Sequence, residues 1–195
     1  PDLALTKHNG SIQLAVSIGS GYRGHPLNID AQDRFYSFRT NQLYAAGSHT
    51  TITEANLYDA TSNALQVGTT SEKTAAISQL NASKGWMIKL EQSGEKVLSE
   101  SLTYLGGVYA PGNTQTNLCK AVAGTSRIYG LNLTDATAID WVKKGPTLSR
   151  YRNLATVGIP PRPIIVHLNG GPSKVCIGTD CSDVEAISFD PIPTY

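Results

Sequence analysis

The stretch VSIGSGYRGHPL, residues 16–27, decides between a nucleotide-binding fold and a β fold. Residues 19–24, GSGYRG, match the G-x-G-x-x-G pattern and follow an alternating, strand-like run, IQLAVSI. That pattern binds a pyrophosphate only where a helix begins on its last glycines. Pro26 and the polar residues after it predict no helix, and neither Asp30 nor Asp33 lies where a ribose-binding acid is expected. We therefore expect these glycines to let a strand turn sharply close to other backbone.

The composition favours a turn-rich β protein that is exported. The 195 residues are enough for one domain or for part of a larger one. Charges are sparse and balanced, with 16 Lys and Arg against 15 Asp and Glu, whereas small polar residues and glycines are abundant. Lys143 and Lys144 are the nearest approach to a basic cluster and are typical of a solvated turn. The charge pattern therefore disfavours nucleic-acid binding.

The first residues predict a β-hairpin. Asn9-Gly10 separates two alternating runs, which is the strongest short-range signal of a hairpin. No apolar run is long enough to cross a bilayer, and no signal peptide opens the sequence. Because a structured element starts at once, we expect the chain to be a fragment of a longer protein.

The three cysteines predict one disulfide. Cys176 and Cys181 are separated by four residues, which does not fit a C-x-x-C zinc knuckle, and no further ligands lie nearby. A disulfide across so short a loop contributes about 2 kcal/mol, enough to hold a tail in place. Cys119 is then either buried and free or paired outside this sequence, and nothing beside it supports a thiol nucleophile.

Three segments repeat an aromatic residue in a short alternating strand followed by a polar turn. They are DRFYSFRTNQ at 33–42, GWMIKLEQSGEK at 85–96 and SRIYGLNLTDATAIDW at 126–141. Their spacing of about 40 to 50 residues is the period of a propeller blade. Between the last two, residues 97–111 supply further strands, which we expect to break at Gly106-Gly107 and Pro111-Gly112. These patterns predict a mainly β fold that is part of a modified β-propeller.

Two segments predict short helices. Thr51 lies three residues before Glu54, the spacing of a capping box. Farther along, Ser71 is the expected N-cap of a second helix that turns its apolar residues to one side and ends at Gly85. Both helices lie in an expected insertion, residues 47–84, between blade strands.

The C-terminal part is rich in proline and predicts a further hairpin. Pro160, Pro161 and Pro163 precede the run IIVHL, and residues 169–171 then turn the chain back into SKVCI. The predicted disulfide clips the far end of this hairpin. We expect blades over residues 1–168 and a tail over residues 169–195 that packs on the same domain, because so short a piece has too little core to fold alone.

The residues that could carry chemistry do not form a recognisable catalytic set. The four histidines (His8, His25, His49 and His167) are scattered without ligand spacing, so we expect no metal site from them. Ser20 and the Ser48-His49 pair lie outside any G-x-S-x-G turn. The acidic and amide residues of two loops lack the alternation of a calcium loop and are better explained as turn residues; they are Asp30, Asp33, Asn132, Asp135 and Asp140.

Because the sequence shows no recognisable catalytic set, we expect the protein to act through a binding surface. Tyr22, Arg23 and Arg34 form an expected rim of aromatic and basic side chains, residue types that are enriched where proteins are recognised. We predict partner contacts at this rim, and at the 47–84 insertion and the clipped tail because both depart from the blade repeat. No catalytic residue and no cofactor within this chain are predicted.

Five segments in this order resemble the C-terminal region of the PilC/PilY family of type IV pilus tip-associated adhesins and biogenesis factors. They are IGSGYRGHPLNIDAQDRFYSFR, ITEANLYDAT, GWMIKLEQSGEKVLSESLTYLGGVYAPGN, GTSRIYGLNL and GIPPRPIIV. The resemblance runs in register from Ile12 to Val166. The tail from Leu168 to Tyr195 lies outside it.

The resemblance implies a modified β-propeller exposed at the pilus tip or the outer bacterial surface. Family members promote pilus extension by opposing retraction, and they support adhesion to host cells and twitching motility, with minor pilins and a surface ligand as partners. The family's regulatory calcium loop cannot be placed on any residue here and is expected upstream of Pro1. The Arg-Gly-Asp motif of some members is absent from this sequence.

Two other classes remain open. A quinoprotein-like propeller enzyme shares the rhythm of aromatic strands but is expected to show Trp-rich docking repeats and quinone ligands, which this sequence lacks. A secreted glycan-binding propeller is the second alternative. Dye reduction with a quinone and a glycan array, respectively, distinguish these classes from a pilus component.

Overall fold

A computed structural model describes residues 1–42, 47, 49–114, 124–139 and 149–184. Cys119, Lys143, Lys144, Asp140 and Ser48, all discussed above, lie outside these described residues. Strands make up 41% of the structure and helices 12%, which confirms the mainly β class. The described strands form three sheets, none of them closed, and a radial propeller arrangement is not shown.

The first sheet has the order β1-β2-β3-β5-β4. Its strands are β1 (Asp2–His8), β2 (Ser11–Gly19), β3 (Arg34–Thr40), β4 (Tyr58–Asp59) and β5 (Gly85–Lys89). All neighbours are antiparallel except β4 and β5, which are parallel. The Asn9-Gly10 hairpin is confirmed, since His8 pairs with Ser11 and both turn residues have positive φ, as a two-residue type I′ turn requires.

The second sheet has the order β10-β9-β8-β6, with β7 also paired to β8. Its strands are β6 (Glu95–Lys96), β7 (Leu102–Tyr104), β8 (Gly107–Thr114), β9 (Thr125–Asn132) and β10 (Tyr151–Asn153). The third sheet has the order β11-β12-β13, with β11 (Ile164–Val166), β12 (Lys174–Ile177) and β13 (Asp180–Asp183). The predicted hairpin of the Pro-rich part is β11–β12.

The predicted break at Pro111-Gly112 is wrong, because β8 continues through both residues and pairs with β9 along its whole length. On its other side, β8 pairs with β7 only up to Tyr109 and with β6 only from Asn113. Pro111 lies between these two pairings, so its missing N–H interrupts neither of them. The break at Gly106 is confirmed as the turn between β7 and β8.

The second sheet is the middle layer of the structure. On one face of β8, Val108 and Ala110 belong to a core cluster with Phe35 and Trp86 of the first sheet. On the opposite face, Tyr109 belongs to a second cluster that includes β12 of the third sheet. Because both of its faces are covered, every residue of β8 is buried, and its sequence does not alternate between apolar and polar residues as that of a half-exposed strand does.

The helices lie between β3 and β5: a 3₁₀ turn (Glu54–Asn56), α1 (Ala64–Val67) and α2 (Thr70–Ala82). The predicted helix starts are shifted. Thr53, not Thr51, precedes the 3₁₀ turn, and Thr69, not Ser71, caps α2 by accepting from the backbone N–H of Glu72. The α2 helix ends at Ala82 with Ser83 as its C-cap, whereas Gly85, where its end was expected, lies in β5. In the described residues no helix is long and apolar enough to span a membrane.

Candidate functional site

The connection from β2 to β3, residues 20–33, is here called the glycine loop, and its two ends are tied together. The Ser20 amide donates to the Arg34 carbonyl at 2.8 Å. The Ser20 hydroxyl donates to Asp33 Oδ1 at 2.6 Å and accepts from the Arg34 amide at 2.9 Å. One serine therefore closes the base of the loop through backbone and side chain together.

The buried side chain of Lys96 binds the glycine loop at two points. Its side chain is only 2% exposed, and its Nζ donates to the Asn28 carbonyl at 2.7 Å and to Asp33 Oδ2 at 3.1 Å. A buried ammonium is tolerated when it is paired and hydrogen-bonded. Asp33 thus binds Ser20 with one oxygen and Lys96 with the other, so the loop has a fixed conformation between its ends.

Gly19, at the end of β2, and Gly21, in the glycine loop, both pack closely against residues 96–97. A Cβ on Gly19 would lie 2.3 Å from the Cβ of Val97, and a Cβ on Gly21 would lie 2.9 Å from that of Lys96. Gly21 also has a φ of +153°. The Val97 amide donates to the Ser20 carbonyl at 3.0 Å, so the two backbones touch. The predicted close approach to other backbone is confirmed, and no helix begins on these glycines.

Tyr22 and Arg23 lie at the exposed tip of the glycine loop. The Tyr22 ring lies over Gly24, where a Cβ would come within 2.8 Å of it, and its centroid is 5.3 Å from that of His25. Within the described part of the chain, Arg23 makes no hydrogen bond or ion pair. Arg34, the third residue of the predicted rim, lies at the base of the loop and pairs with Glu54 at 3.3 Å.

Arg23 overlooks a groove, here called the Arg23 groove, formed by two adjoining hollows of about 310 and 440 Å³. Both hollows are lined by Arg23, Ser99 and Glu100. The floor of the first includes Ile18 and Val97, and the far wall of the second is residues 159–162. The groove therefore lies where the glycine loop meets the β6–β7 connection and the Pro-rich segment.

The walls of the groove are joined by side chains that the sequence patterns did not single out. The Ser99 hydroxyl donates to the Pro160 carbonyl. Arg162 pairs with Glu100 at 3.3 Å, and both side chains remain well exposed. These pairs are about 60 residues apart in sequence, a separation at which no local pattern signals contact. The sequence patterns singled out Arg23 but not the residues that line the groove around it.

A second polar cluster lies inside the second sheet, and its side chains contact one another. The Glu95 side chain is fully buried and accepts from Tyr129 Oη at 3.1 Å and Arg127 Nη1 at 3.5 Å. The Arg127 guanidinium lies 4.1 Å from the centroid of the Tyr151 ring, in a cation–π contact. Burial raises the pKa of Glu95, and hydrogen bonds and Arg127 oppose this. The cluster joins β6, β9 and β10.

The remaining chemical candidates are separate from one another. His8 contacts Arg39, whereas His167 packs against Tyr104. Asn132 and Asp135 each accept from the amide and hydroxyl of a threonine two residues on, which is how Asx turns close. In the residues that the structure describes, no group of three His, Cys, Asp or Glu side chains could hold a metal ion.

The predicted disulfide is confirmed. Cys176 of β12 and Cys181 of β13 are directly opposite each other in the register of the two strands, and their sulfurs are 2.02 Å apart. The bond lies across β12 and β13, the hairpin that turns at Gly178 with a φ of +58°, rather than across the β11–β12 hairpin whose far end it was expected to clip. Val175 and Ile177 on either side of Cys176 are fully buried, so the clipped strand is part of the core.

Comparison with known proteins gives a likeness in fold. No family model and no curated protein matches the sequence. The structure is similar to the crystal structure of the Pseudomonas aeruginosa PilY1 C-terminal domain, with a TM-score of 0.65 and 14% sequence identity. The similarity covers 95% of this chain and 44% of that one. The resemblance to the PilC/PilY family is therefore confirmed in the fold, and the chain spans less than half the length of the domain that it matches.

Proposed function

We propose that this chain belongs to a non-enzymatic, type IV pilus-associated protein that supports pilus biogenesis by opposing retraction and that contributes to surface adhesion and twitching motility. The observation that carries the proposal is the fold shared with the PilY1 C-terminal domain over 95% of the chain. The five ordered sequence segments that resemble the PilC/PilY family also support it.

The proposed location is the outer bacterial surface at the pilus tip. The Cys176–Cys181 disulfide supports export, since such bonds form and persist in oxidising compartments. The composition, rich in small polar residues and poor in charge, agrees with it. A calcium loop belongs, in this proposal, to a part of the full-length protein upstream of Pro1.

The proposed partner contact is the tip of the glycine loop. A surface that must bind under load benefits from side chains whose backbone is already fixed, because little ordering entropy is then lost on binding. Ser20, Asp33 and Lys96 fix the loop, and Tyr22 and Arg23 project from it. We propose minor pilins or a host-surface ligand as the partners.

The test uses the full-length protein in a type IV piliated bacterium that lacks its own copy. The expected result is loss of surface pili without the protein, restoration by the wild type, and restoration without the protein when pilus retraction is also blocked. Electron microscopy and the amount of sheared pilin measure this. Piliation that does not depend on the protein would contradict the proposal.

The contact surface is tested in the same strain with Arg23→Glu and, as its matched control, Lys7→Glu. Lys7 is an exposed cation at the other end of β1 from the groove. Reduced piliation or attachment is expected for Arg23→Glu only. Equal counts for the two variants would remove the glycine-loop tip from the proposal while leaving the pilus role standing.

A further inference from the structure

We propose that the Arg23 groove binds an extended peptide segment of a partner protein, and that Arg23 forms an ion pair with an acidic side chain of that segment. The inference rests on the proposed function, since it names the chemistry of the partner that the glycine-loop tip meets. It concerns a direct binding event, so it is measured on the purified chain without any pilus.

The guanidinium of Arg23 supplies the charge. Within the described part of the chain it has no ion pair or hydrogen bond, and it lines both hollows of the groove. Its backbone belongs to a loop held by Ser20 and Lys96. An arginine fork donates two parallel hydrogen bonds to a carboxylate, and a tethered backbone reduces the cost of forming them.

The other charges of the groove select an acidic segment. Glu100 and Arg162 neutralise each other at 3.3 Å across the second hollow. Arg23 is then the charged side chain left without a partner in the two hollows, and the first hollow is also lined by Pro1, whose amino group in this chain has the same positive sign. An acidic side chain complements it, whereas a basic one is repelled.

The walls of the groove offer backbone groups to an extended chain. Residues 98–100 make no backbone hydrogen bond to any described residue, and Ser99 and Glu100 lie on the groove surface. Across the groove, Pro161 is exposed and has no N–H donor of its own, whereas the carbonyl of the buried Pro160 already accepts from the Ser99 hydroxyl. A peptide carries one donor and one acceptor per residue and can pair with the backbone groups of residues 98–100, as in β-strand addition. This favours a peptide over a sugar acid.

The experiment measures binding of the purified 195-residue chain to a fluorescein-labelled hexapeptide library. Each position in turn carries Asp or Glu, or the matching amide, Asn or Gln. We expect acidic peptides to bind more tightly than amide peptides by about tenfold, as for a hydrogen bond to a charged group. Arg23→Gln is expected to abolish this difference.

Two further variants are expected to change the preference for acidic peptides in different ways. Glu100→Gln leaves Arg162 without its carboxylate, so the preference for acidic peptides is expected to increase. Lys7→Gln removes the same charge as Arg23→Gln from a site outside the groove, so no change is expected. Circular dichroism and thermal unfolding of each variant establish that it is folded.

Three results would overturn the inference. The first is an acidic preference that persists in Arg23→Gln, and the second is the lack of binding by any acidic peptide at millimolar concentration. The third is Arg23-dependent capture of acidic glycans on an array without capture of peptides. Loss of the pilus role with retained peptide binding would instead refute the proposed function alone.

Discussion

Glu95 and Lys96 are neighbours in β6, and both are buried, yet their charges are neutralised on different sides of the strand. Glu95 lies 3.5 Å from Arg127 within the second sheet, whereas Lys96 lies 3.1 Å from Asp33 in the glycine loop. Successive residues of a strand point to opposite faces, so a two-residue strand serves both contacts. The pair couples the interior of the second sheet to the loop that presents Arg23.

Lys96→Met is expected to destabilise the protein strongly. It leaves the Asp33 carboxylate, 13% exposed, without its cation, and breaking a buried pair in this way costs about 3–5 kcal/mol. Lys89→Met is the matched control, because its partner Asp59 is 44% exposed and such surface pairs contribute about 0–1 kcal/mol. Urea unfolding measures both free energies. Similar losses for the two variants would show that Lys96 does not anchor the loop.

Gly19→Ala is expected to lower the free energy of unfolding by about 1–3 kcal/mol through overpacking against Val97. Gly171→Ala serves as the control, since its nearest neighbour would be at 3.5 Å, an ordinary contact. Thermal unfolding of the two variants is the measurement. A Gly19→Ala protein as stable as Gly171→Ala would mean that the end of β2 is not in contact with Val97.

Thr69→Ala is expected to cost about 1 kcal/mol of stability because it removes the N-cap of α2. Ser71→Ala, two residues along the same helix, is the comparison and is expected to have little effect, since Ser71 is exposed inside the first turn. Denaturant unfolding distinguishes the two. The reverse order of the losses would support Ser71 as the cap.

Glu95→Gln tests the buried carboxyl by its pH dependence. Burial raises the pKa of Glu95 in the folded protein above its ordinary value. The folded state therefore favours the protonated carboxyl. The resulting gain in the free energy of unfolding is present below the pKa of Glu95 in the unfolded chain and is lost as the pH rises through its higher pKa in the folded protein. The free energy of unfolding of the wild type minus that of Glu95→Gln should fall across this range. A difference that is constant or rises with pH would contradict the assignment.

The features that the sequence predicted correctly depend on a few neighbouring residues. The Asn9-Gly10 hairpin and the Cys176–Cys181 disulfide are examples, because turn dihedrals and loop closure are local properties. The N-cap of α2 is also a local feature, because Thr69 and Glu72 have the spacing of a capping box. The prediction of Ser71 as the cap did not use this spacing.

Contacts between distant segments were decided by the tertiary structure. The strand through Pro111 depends on where β6 and β7 end, and the ion pair of Arg34 with Glu54 joins residues 20 positions apart. No local pattern marks Glu95 and Lys96 as buried, since charged residues are ordinarily expected at the surface.

The sequence by itself therefore determined the mainly β class, the hairpins, the disulfide and the exposed tip of the glycine loop. Only the tertiary structure decided which charges are enclosed and which segments form the walls around Arg23. The physical reason is that turns and strands follow from short-range sterics and hydrogen bonding, whereas burial and ion pairing depend on groups that are brought together only when the sheets pack.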